Sequence, residues 1–231
     1  MSAGAETIDK TVAGVAAALG EVADGATIMV GGFGDSGIPE ELLAELLEQG
    51  ARELTLIANN AGSGESGVAA LLRERRVRKI VCSFPRSSGS VWFERRYRAG
   101  EVELEIVPQG TLSERIRAGG AGIAAFYTPT AAGTELAAGK ETRLLDGREH
   151  LLEHALRADL ALIRARAADR WGNLVYHTAA RNYAPTMAMA ARETVAQVDE
   201  LVGLGDLDPE AVVTPGVYVD RVVRLRREEA R

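Results

Sequence analysis

The glycine-rich stretch at residues 31–37, which reads GGFGDSG, is the first candidate for chemistry in this sequence. Read from Gly32, it matches G-x-G-x-x-G, a pattern in which backbone N–H groups and a helix N-terminus bind the phosphates of a dinucleotide. An apolar run precedes it and a helical pattern follows it. The stretch therefore predicts a loop that binds a dinucleotide or another anion, or else a tight strand-to-helix turn that binds nothing.

The end of the next predicted strand argues against the dinucleotide. A nicotinamide site needs an Asp or Glu there to bind the ribose hydroxyls, whereas this strand ends in Asn59 and Asn60. Asp35 also places a negative charge inside the loop, which is unfavourable beside a pyrophosphate. A nicotinamide-dependent oxidoreductase is kept as an alternative that these residues do not favour.

Two amide side chains occupy positions where a parallel sheet binds its ligands. Asn59 and Gln109 both lie just beyond the carboxyl ends of predicted parallel strands, and in open α/β sheets the ligand crevice lies at that edge. An amide N–H can stabilise the oxyanion that forms when a carbonyl is attacked. The alternative is that each amide caps a helix or a turn.

Other reactive side chains are explained at least as well without catalysis. The segment from His150 to His154 matches the zinc-peptidase pattern H-x-x-E-H, but it follows a turn and leads into a strand. We therefore expect two polar residues on a half-exposed strand edge, and no metal site. Cys82 lies inside an apolar strand, which predicts a buried thiol. Glu65, in a Gly-rich loop after a strand, could be a nucleophile or a solvated side chain.

An alternation of strands and helices must position these side chains. Short apolar runs bounded by Gly, Pro or Asn predict strands, and apolar residues three and four apart predict helices. The predicted strands cover about residues 26–30, 54–58, 79–83, 102–107, 149–153, 160–166, 174–177, 194–199 and 217–223. The predicted helices cover about residues 8–20, 39–50, 67–75, 90–98, 111–120 and 185–192, and Thr111 with Glu114 forms a capping box at the start of the fifth. The sequence predicts an α/β fold: an open, mostly parallel sheet with helices on both faces.

The segment from residue 119 to 140 is rich in glycine and lacks a sustained hydrophobic period. Long irregular loops in compact domains are usually functional or disordered, and the aromatic residues in this one favour order. We therefore expect a lid that includes Gly119, Gly120 and Gly122. No linker or internal repeat divides the chain, so we expect one domain over residues 1–231, with a core from 8 to 223 and a frayed tail.

The charge and cysteine content restrict the class of protein. A formal net charge of −6 argues against nucleic-acid or membrane-surface partners, which need a basic patch. A single cysteine excludes an internal disulfide and favours a reducing compartment. The first residues lack the basic and apolar regions of a signal peptide. We therefore expect a cytoplasmic protein.

Several motifs, in order along the chain, resemble the A (alpha) subunit of the family I CoA-transferases, which move CoA between succinyl-CoA and 3-oxoacids. They are VGGFGDSGIPEEL, ANNAG, PQGTLSERIRAGGAGIAAFYTPT, and DRWGNLVY followed by AARN. The similarity extends from about residue 8 to residue 223. Within the family, VRKIVCSFPR, DRWGN and AARNYAPTMAMAA are most similar to members that use 3-oxoadipate in the breakdown of aromatic compounds.

The resemblance implies that this chain holds half of an active site. It implies succinyl-CoA as the donor and 3-oxoadipate as the acceptor, with acetoacetate as the alternative acceptor. The nucleophile would be a glutamate of a partner, the B (beta) subunit, which carries CoA as a glutamyl thioester. The assembly would be A2B2 and would use no metal or redox cofactor, since CoA is a substrate. A non-catalytic acyl-CoA-binding protein on the same fold is a further alternative.

The resemblance also implies roles for particular residues. Asn59 and Gln109 would stabilise the oxyanion beside the partner's glutamate. The CoA-binding loop would consist of Gly31, Gly32, Phe33, Gly34, Asp35, Ser36 and Gly37. We add Arg86 and Arg181, whose guanidinium groups suit a distal carboxylate of the acceptor, although ordinary ion pairs explain them equally well. Two departures from the family pattern, Asp35-Ser36 and Ala131-Ala132, leave the acceptor open.

Overall fold

The computed structural model describes residues 8–87 and 89–225. Its strands are β1 (Thr11–Val12), β2 (Thr27–Val30), β3 (Leu54–Asn60), β4 (Val77–Phe84), β5 (Glu103–Ile106), β6 (Ala125–Thr128), β7 (Thr142–Leu145), β8 (Arg148–His154), β9 (Ala158–Ala168), β10 (Leu174–Val175), β11 (Ala191–Leu201) and β12 (Arg221–Arg224). Its α-helices are α1 (Val15–Leu19), α2 (Glu40–Gln49), α3 (Gly67–Arg73), α4 (Val91–Arg98), α5 (Gln109–Gly120) and α6 (Ala184–Ala190). Within the described ranges, no helix has both the length and the hydropathy needed to cross a membrane. The tail that was predicted to be frayed follows residue 223, and its residues from 226 onward lie outside the described ranges.

One large sheet contains most of the strands, in the order β1-β12-β11-β9-β2-β3-β4-β5, with β10 added to β9. Neighbouring strands are parallel, and the β9–β10 pair is antiparallel. A helix lies in each crossover from β2 to β5, because parallel strands cannot be joined by a tight hairpin. The predicted mostly parallel α/β sheet is confirmed.

Side-chain alternation along the strands builds a separate core on each face of this sheet. Along β2, Ile28 and Val30 belong to a cluster that includes Leu42 of α2 and residues from α1, α3 and α4. Met29, which points to the opposite face, belongs to a cluster that includes Leu112 of α5 and residues from α6. Because alternate residues of a strand face opposite sides, helices cover both faces, as predicted.

The junction between β2 and β9 is the topological switch point of the sheet. From β2 the strands progress toward β5 on one side, and from β9 they progress toward β12 on the other. Open α/β sheets bind ligands in the crevice outside the carboxyl ends of the strands at such a point. The loops that follow β2, β3 and β9 are therefore the ones that position a site.

A smaller antiparallel sheet follows α5, with the order β6-β8-β7. It contains the predicted strand at residues 149–153, but the prediction of an irregular lid over residues 119–140 was wrong. Ala125–Thr128 pairs with Leu151–His154. All four residues of β6 are half-buried, so this short strand has no alternation that a sequence pattern could detect.

Three predicted boundaries also need correction. The single helix over residues 8–20 was wrong, because Thr11–Val12 pairs with β12 and Gly14, at φ 98°, separates that strand from α1. The capping box was wrong, because α5 begins at Gln109, two residues before Thr111. The last strand is shorter than predicted and covers Arg221–Arg224 only.

Charged side chains around Arg115 fix α5 to both sheets. The Arg115 guanidinium donates through Nε to the carbonyl oxygen of His154 and through a terminal nitrogen to Glu105, each at 2.7 Å. Glu153, only 2% exposed, forms ion pairs with Arg115 and Lys140. Because breaking a buried pair leaves an uncompensated charge, this cluster holds α5, and with it Gln109, in one orientation.

Candidate functional site

A cleft opens at the carboxyl edge of the sheet, between the loops that follow β2 and β3. Its walls comprise the start and apex of the glycine loop (residues 31–37), the end of β3 and the loop leading into α3. The lining residues include Gly32, Gly34, Asn59, Asn60 and Ser66. The structure therefore brings together the glycine loop and the first of the two amides singled out from the sequence.

Asn59 presents a fixed acceptor and a free donor in this cleft. It lies at the end of β3 on the same face as Ile57, the face that α5 and α6 cover. Its Oδ1 accepts hydrogen bonds from Gln109 Nε2 at 2.8 Å and from Ser83 Oγ at 3.0 Å. No described residue accepts a hydrogen bond from its Nδ2. The residue is 5% exposed, and the two bonds to Oδ1 hold the orientation of an amide whose Nδ2 has no acceptor among the described residues.

Gln109 supplies the second donor. It is the first residue of α5, directly after Pro108, and it is exposed. Its carboxamide nitrogen carries two hydrogens, and the bond to Asn59 uses one of them. The two hydrogen-bonded amides therefore bring together two nitrogens, Asn59 Nδ2 and Gln109 Nε2, that each keep hydrogen available for an oxyanion.

Two hydroxyl groups that the sequence did not reveal complete this arrangement. Ser83 Oγ also donates to the backbone carbonyl oxygen of Asn59 at 3.1 Å. The Tyr183 hydroxyl lies 3.4 Å from Asn59 Oδ1, and burial raises the pKa of this tyrosine, so it keeps its proton. Ser83 lies beside Asn59 because β3 and β4 pair in a register that sets Ala58 against Cys82. The sequence of either strand alone does not reveal this register.

The glycine loop has a buried base and an exposed apex. Gly31, Gly32 and Gly37 are buried, while residues 33–36 are exposed. The N–H groups of Phe33 and Ser36 donate to each other's carbonyl oxygens. No described residue accepts a hydrogen bond from the N–H of Gly34 or Asp35. The apex therefore carries backbone donors that can bind a ligand.

The N-terminus of α2 does not offer the phosphate site that the dinucleotide pattern requires. The helix begins at Glu40, three residues after the loop, with Glu40 and Glu41 in its first turn. The N–H of Leu42 donates to Gln197 Oε1, and Gln197 Nε2 donates to Glu41. Two carboxylates and an occupied donor disfavour a pyrophosphate here. The geometry supports the loop apex, rather than the helix end, as the binding element.

The two arginines proposed to bind the acceptor's carboxylate form no hydrogen bond with Asn59 or Gln109 within the described residues. Arg86 is on the segment after β4 and forms an exposed ion pair with Glu94 at 3.0 Å. Arg181 is exposed at the end of the 3₁₀ turn Thr178–Arg181, next in sequence to a residue that contacts the glycine loop. Their role in binding a carboxylate stays a prediction, and Arg181 is the better placed.

The predicted lid glycines belong to a helix and its end, which corrects their assignment. Gly119 and Gly120 are the last residues of α5. A Cβ on Gly119 would lie 2.0 Å from the Leu156 carbonyl oxygen, so glycine is needed for close packing. Gly122, at φ 76°, follows the helix in a turn. With a rise of 1.5 Å per residue, this end of α5 is about 15 Å from Gln109.

The remaining reactive side chains do not support a catalytic role. Burial raises the pKa of Cys82 to about 12, so its thiol is inert. Glu65 accepts hydrogen bonds from Trp92 and Arg73, which lower its pKa, and it does not line the cleft. The H-x-x-E-H segment is strand β8, which points Glu153 and His154 to opposite sides. Glu153 is buried rather than half-exposed as predicted, and no group of three potential ligands for a metal occurs in the described part of the chain.

Comparison with known proteins bears on this site. A family model described as Coenzyme A transferase matches residues 12–225. The A subunit of the 3-oxoadipate CoA-transferase of Pseudomonas putida is 59% identical over 218 residues, covering 94% of each chain. The A subunit of the succinyl-CoA:3-ketoacid coenzyme A transferase of Xanthomonas campestris pv. campestris is 53% identical over 216 residues, covering 94% of this chain and 88% of that protein. The solved glutaconate coenzyme A-transferase from Acidaminococcus fermentans shares the fold, with a TM-score of 0.82 and 20% identity over 93% of this chain and 75% of that chain.

Proposed function

This chain belongs to the coenzyme A transferase family, and from that premise we propose that it is the A subunit of an enzyme that moves CoA from succinyl-CoA to 3-oxoadipate. The observation that carries the proposal is the amide pair. Asn59 lines the cleft, its Oδ1 accepts hydrogen bonds from Gln109 and Ser83, and no described residue accepts one from its Nδ2. The name of the relative with 59% identity supports 3-oxoadipate as the acceptor.

The amide pair suits the chemistry of a thioester. When a carboxylate attacks the thioester carbonyl, the carbonyl oxygen gains a full negative charge and the carbon becomes tetrahedral. Asn59 Nδ2 and the second Nε2 hydrogen of Gln109 would donate to that oxygen. The charge develops in the transition state, so these bonds strengthen as the reaction proceeds and lower its barrier.

We assign the attacking carboxylate to the partner, the B subunit. Asp35 and Glu40 line the cleft, but neither is hydrogen-bonded to Asn59 or Gln109. The partner's glutamate would attack the succinyl-CoA carbonyl and expel CoA as its thiolate, leaving a mixed anhydride of succinate and the glutamate. The thiolate would then attack the glutamyl carbonyl of that anhydride, which forms the glutamyl thioester and releases succinate. The carboxylate of 3-oxoadipate would attack the glutamyl thioester in the same way, and the expelled thiolate would open the resulting anhydride at the 3-oxoadipyl carbonyl, which frees the glutamate. Each half-reaction moves the CoA sulfur from one acyl carbon to another without any change of oxidation state, so no redox cofactor is required.

The surface around the cleft supports a covering partner. Phe33, on the glycine loop, is 49% exposed, and Phe84, the last residue of β4, is 59% exposed. Both lie at the carboxyl edge of the sheet, and exposed apolar groups beside a site are typical of interfaces. The names of the relatives, which are A subunits, imply a second type of polypeptide. We propose that two copies of each chain form an A2B2 assembly. We also propose a cytoplasmic location, which is consistent with a single, buried cysteine thiol.

The acceptor is tested by comparing substrates. 3-Oxoadipate and the succinyl group carry a distal carboxylate, which acetoacetate lacks. If Arg181 binds that carboxylate, Arg181→Ala should lower kcat/KM with 3-oxoadipate while leaving the acetoacetate half-reaction unchanged. A wild-type complex that prefers acetoacetate would identify the alternative 3-oxoacid transferase, and Arg86→Ala serves as the comparison variant.

The transfer itself is tested by intact mass. The chain alone, and then the complex with its partner, is incubated with succinyl-CoA, and each polypeptide is weighed. A CoA-sized adduct on the partner only is the expected result. An adduct on this chain would place the nucleophile here, with Glu40, Asp35 and Glu65 as the residues to map. A complex that binds succinyl-CoA without any adduct or turnover would favour the non-catalytic acyl-CoA-binding alternative.

A further inference from the structure

Asn182 adopts a backbone conformation that asparagine rarely takes. It lies between the 3₁₀ turn Thr178–Arg181 and α6, with φ 28° and ψ −115°. A non-glycine residue in such a region is strained and persists only when the surroundings hold it. The contacts of its side chain show what holds it, and they lead to the glycine loop.

The Asn182 side chain links the glycine loop to the chain that follows β9. Its Oδ1 accepts hydrogen bonds from the N–H of Gly32 at 3.0 Å and from the N–H of Tyr183 at 2.6 Å. Its Nδ2 donates to the carbonyl oxygen of Ser36 at 3.2 Å and to that of Ala180 at 2.8 Å. One amide therefore contacts both ends of the loop, which spans residues 31–37.

The space around the loop shows that this contact is tight. A Cβ on Gly37 would lie 2.3 Å from the Ala180 carbonyl oxygen and 2.8 Å from Asn182 Nδ2. The start of the loop is fixed separately, by a bond of 2.9 Å from the Gly31 N–H to Leu162 of β9. The apex is closed by the mutual backbone bonds of Phe33 and Ser36, and its Gly34 and Asp35 N–H groups have no acceptor among the described residues.

We propose that Asn182 is a positioning residue for the acyl-CoA site, which it serves by holding the glycine loop in the shape that presents its apex to the substrate. The inference rests on the proposed function, because it takes an acyl-CoA thioester as the ligand of the loop. Asn182 does not touch the reacting atoms. Through the adjacent Tyr183, whose hydroxyl lies near Asn59 Oδ1, the same segment contacts both the loop and the amide pair.

The test uses three variants in the complex with the partner. Asn182→Gly removes the amide while permitting the positive φ. Asn182→Asp keeps an acceptor for the Gly32 N–H but loses the donor to Ser36. Thr178→Gly is the matched control, because Thr178 also has a positive φ, 46°, is exposed and makes no side-chain hydrogen bond within the described residues. Each variant is assayed for the KM of succinyl-CoA, for kcat, and for amide hydrogen exchange of the peptide covering residues 31–37.

Asn182→Gly should raise the KM about tenfold, equivalent to about 1.4 kcal/mol, with a smaller change in kcat. It should also accelerate exchange at Gly32. Asn182→Asp should raise the KM less than Asn182→Gly does. Thr178→Gly should have the KM and the exchange rate of the wild type. Unchanged exchange in Asn182→Gly would overturn the contact in solution, and faster exchange with an unchanged KM would overturn the positioning role. A wild-type complex that neither binds nor turns over succinyl-CoA would instead refute the proposed function, while the exchange measurement still tests the contact.

Discussion

Replacing Asn59 by aspartate separates the donor role of this side chain from its structural role. The substitution keeps the shape and keeps an oxygen where Gln109 and Ser83 now donate. It replaces the free Nδ2 donor with a second oxygen. Asn59→Asp therefore preserves the internal hydrogen bonds and removes only the N–H that we assign to the oxyanion.

The expected loss follows from the number of donors. Asn59 Nδ2 is one of the two nitrogens that we assign to the oxyanion, and removing one oxyanion donor typically costs about 2.7–4 kcal/mol, or 100-fold to 1,000-fold in kcat. An ionised carboxylate in place of the amide also repels the oxyanion. For two unit charges 4 Å apart, this repulsion is about 4 kcal/mol at an effective dielectric constant of 20. We therefore expect kcat to fall at least 100-fold at neutral pH.

The assay is steady-state CoA transfer by the complex, with thermal unfolding measured in parallel to detect misfolding. Asn60→Asp is the comparison variant, because it adds the same charge to the lining of the same cleft, one residue away on the opposite face of β3 and outside the amide pair. The kcat of this variant should fall less than tenfold. A folded Asn59→Asp complex that keeps more than a tenth of wild-type kcat would refute the oxyanion assignment, and equal losses in both variants would attribute the effect to charge alone.

A pH profile adds an independent check on the same variant. A protonated carboxyl group can donate a hydrogen bond, whereas an ionised one can only accept. Transfer by Asn59→Asp should therefore rise relative to wild type as the pH falls toward the pKa of the introduced carboxyl. A ratio of the two rates that does not change with pH would contradict the donor role.

Three further predictions concern the loop, the charged cluster and the thiol. Gly37→Ala should raise the KM for succinyl-CoA at least tenfold, because a Cβ there meets a carbonyl oxygen at 2.3 Å. Gly100→Ala, outside the cleft and with nothing within 4 Å, should leave the KM unchanged and show only the strain of positive φ, about 1–2 kcal/mol. In urea unfolding, Glu153→Gln should cost at most about 3–5 kcal/mol, because it removes the buried carboxylate that pairs with Lys140 and Arg115 while Arg115 keeps Glu105. Glu114→Gln breaks an exposed pair and should cost under about 1 kcal/mol. Cys82 has a pKa raised to about 12 in the fold, so its thiol ionises first in the unfolded chain, and the unfolding free energy should fall as the pH rises above about 9.

Each of these has a result that would contradict it. Equal KM values for the two glycine variants would mean that the loop moves freely at residue 37. Equal stabilities for the two glutamine variants would mean that the cluster around Glu153 is solvated. For the thiol, Cys82→Ala should flatten the alkaline slope, and an unchanged slope would assign it to other groups.

Much of this architecture was predictable from local patterns. The strands β2 to β5 and the helices between them follow from apolar runs, glycines and prolines that act within a few residues. Asn59 and Gln109 were identifiable because each follows such a run. The family resemblance is confirmed by a match over residues 12–225.

The partners of those residues were not predictable in the same way. Asn59 contacts Gln109, 50 positions away, and Tyr183, 124 positions away. The lid prediction failed for the same reason, because Gly119 packs against a carbonyl oxygen of a distant segment. Likewise, the segment with Glu153 was expected on a half-exposed strand edge, yet Glu153 is buried in an ion-pair cluster with Arg115 of α5 and Lys140.

The sequence by itself therefore determined the elements, the glycine loop and the two amides, since hydrophobic periodicity and backbone preference are properties of neighbouring residues. Only the tertiary structure decided that the amides form a pair, that Ser83 fixes their orientation and that Asn182 contacts the loop. Those relations depend on strand order and register, as in the adjacency of β2 to β9. Strand order is set by the burial of both faces of the whole sheet at once, so no local segment contains it.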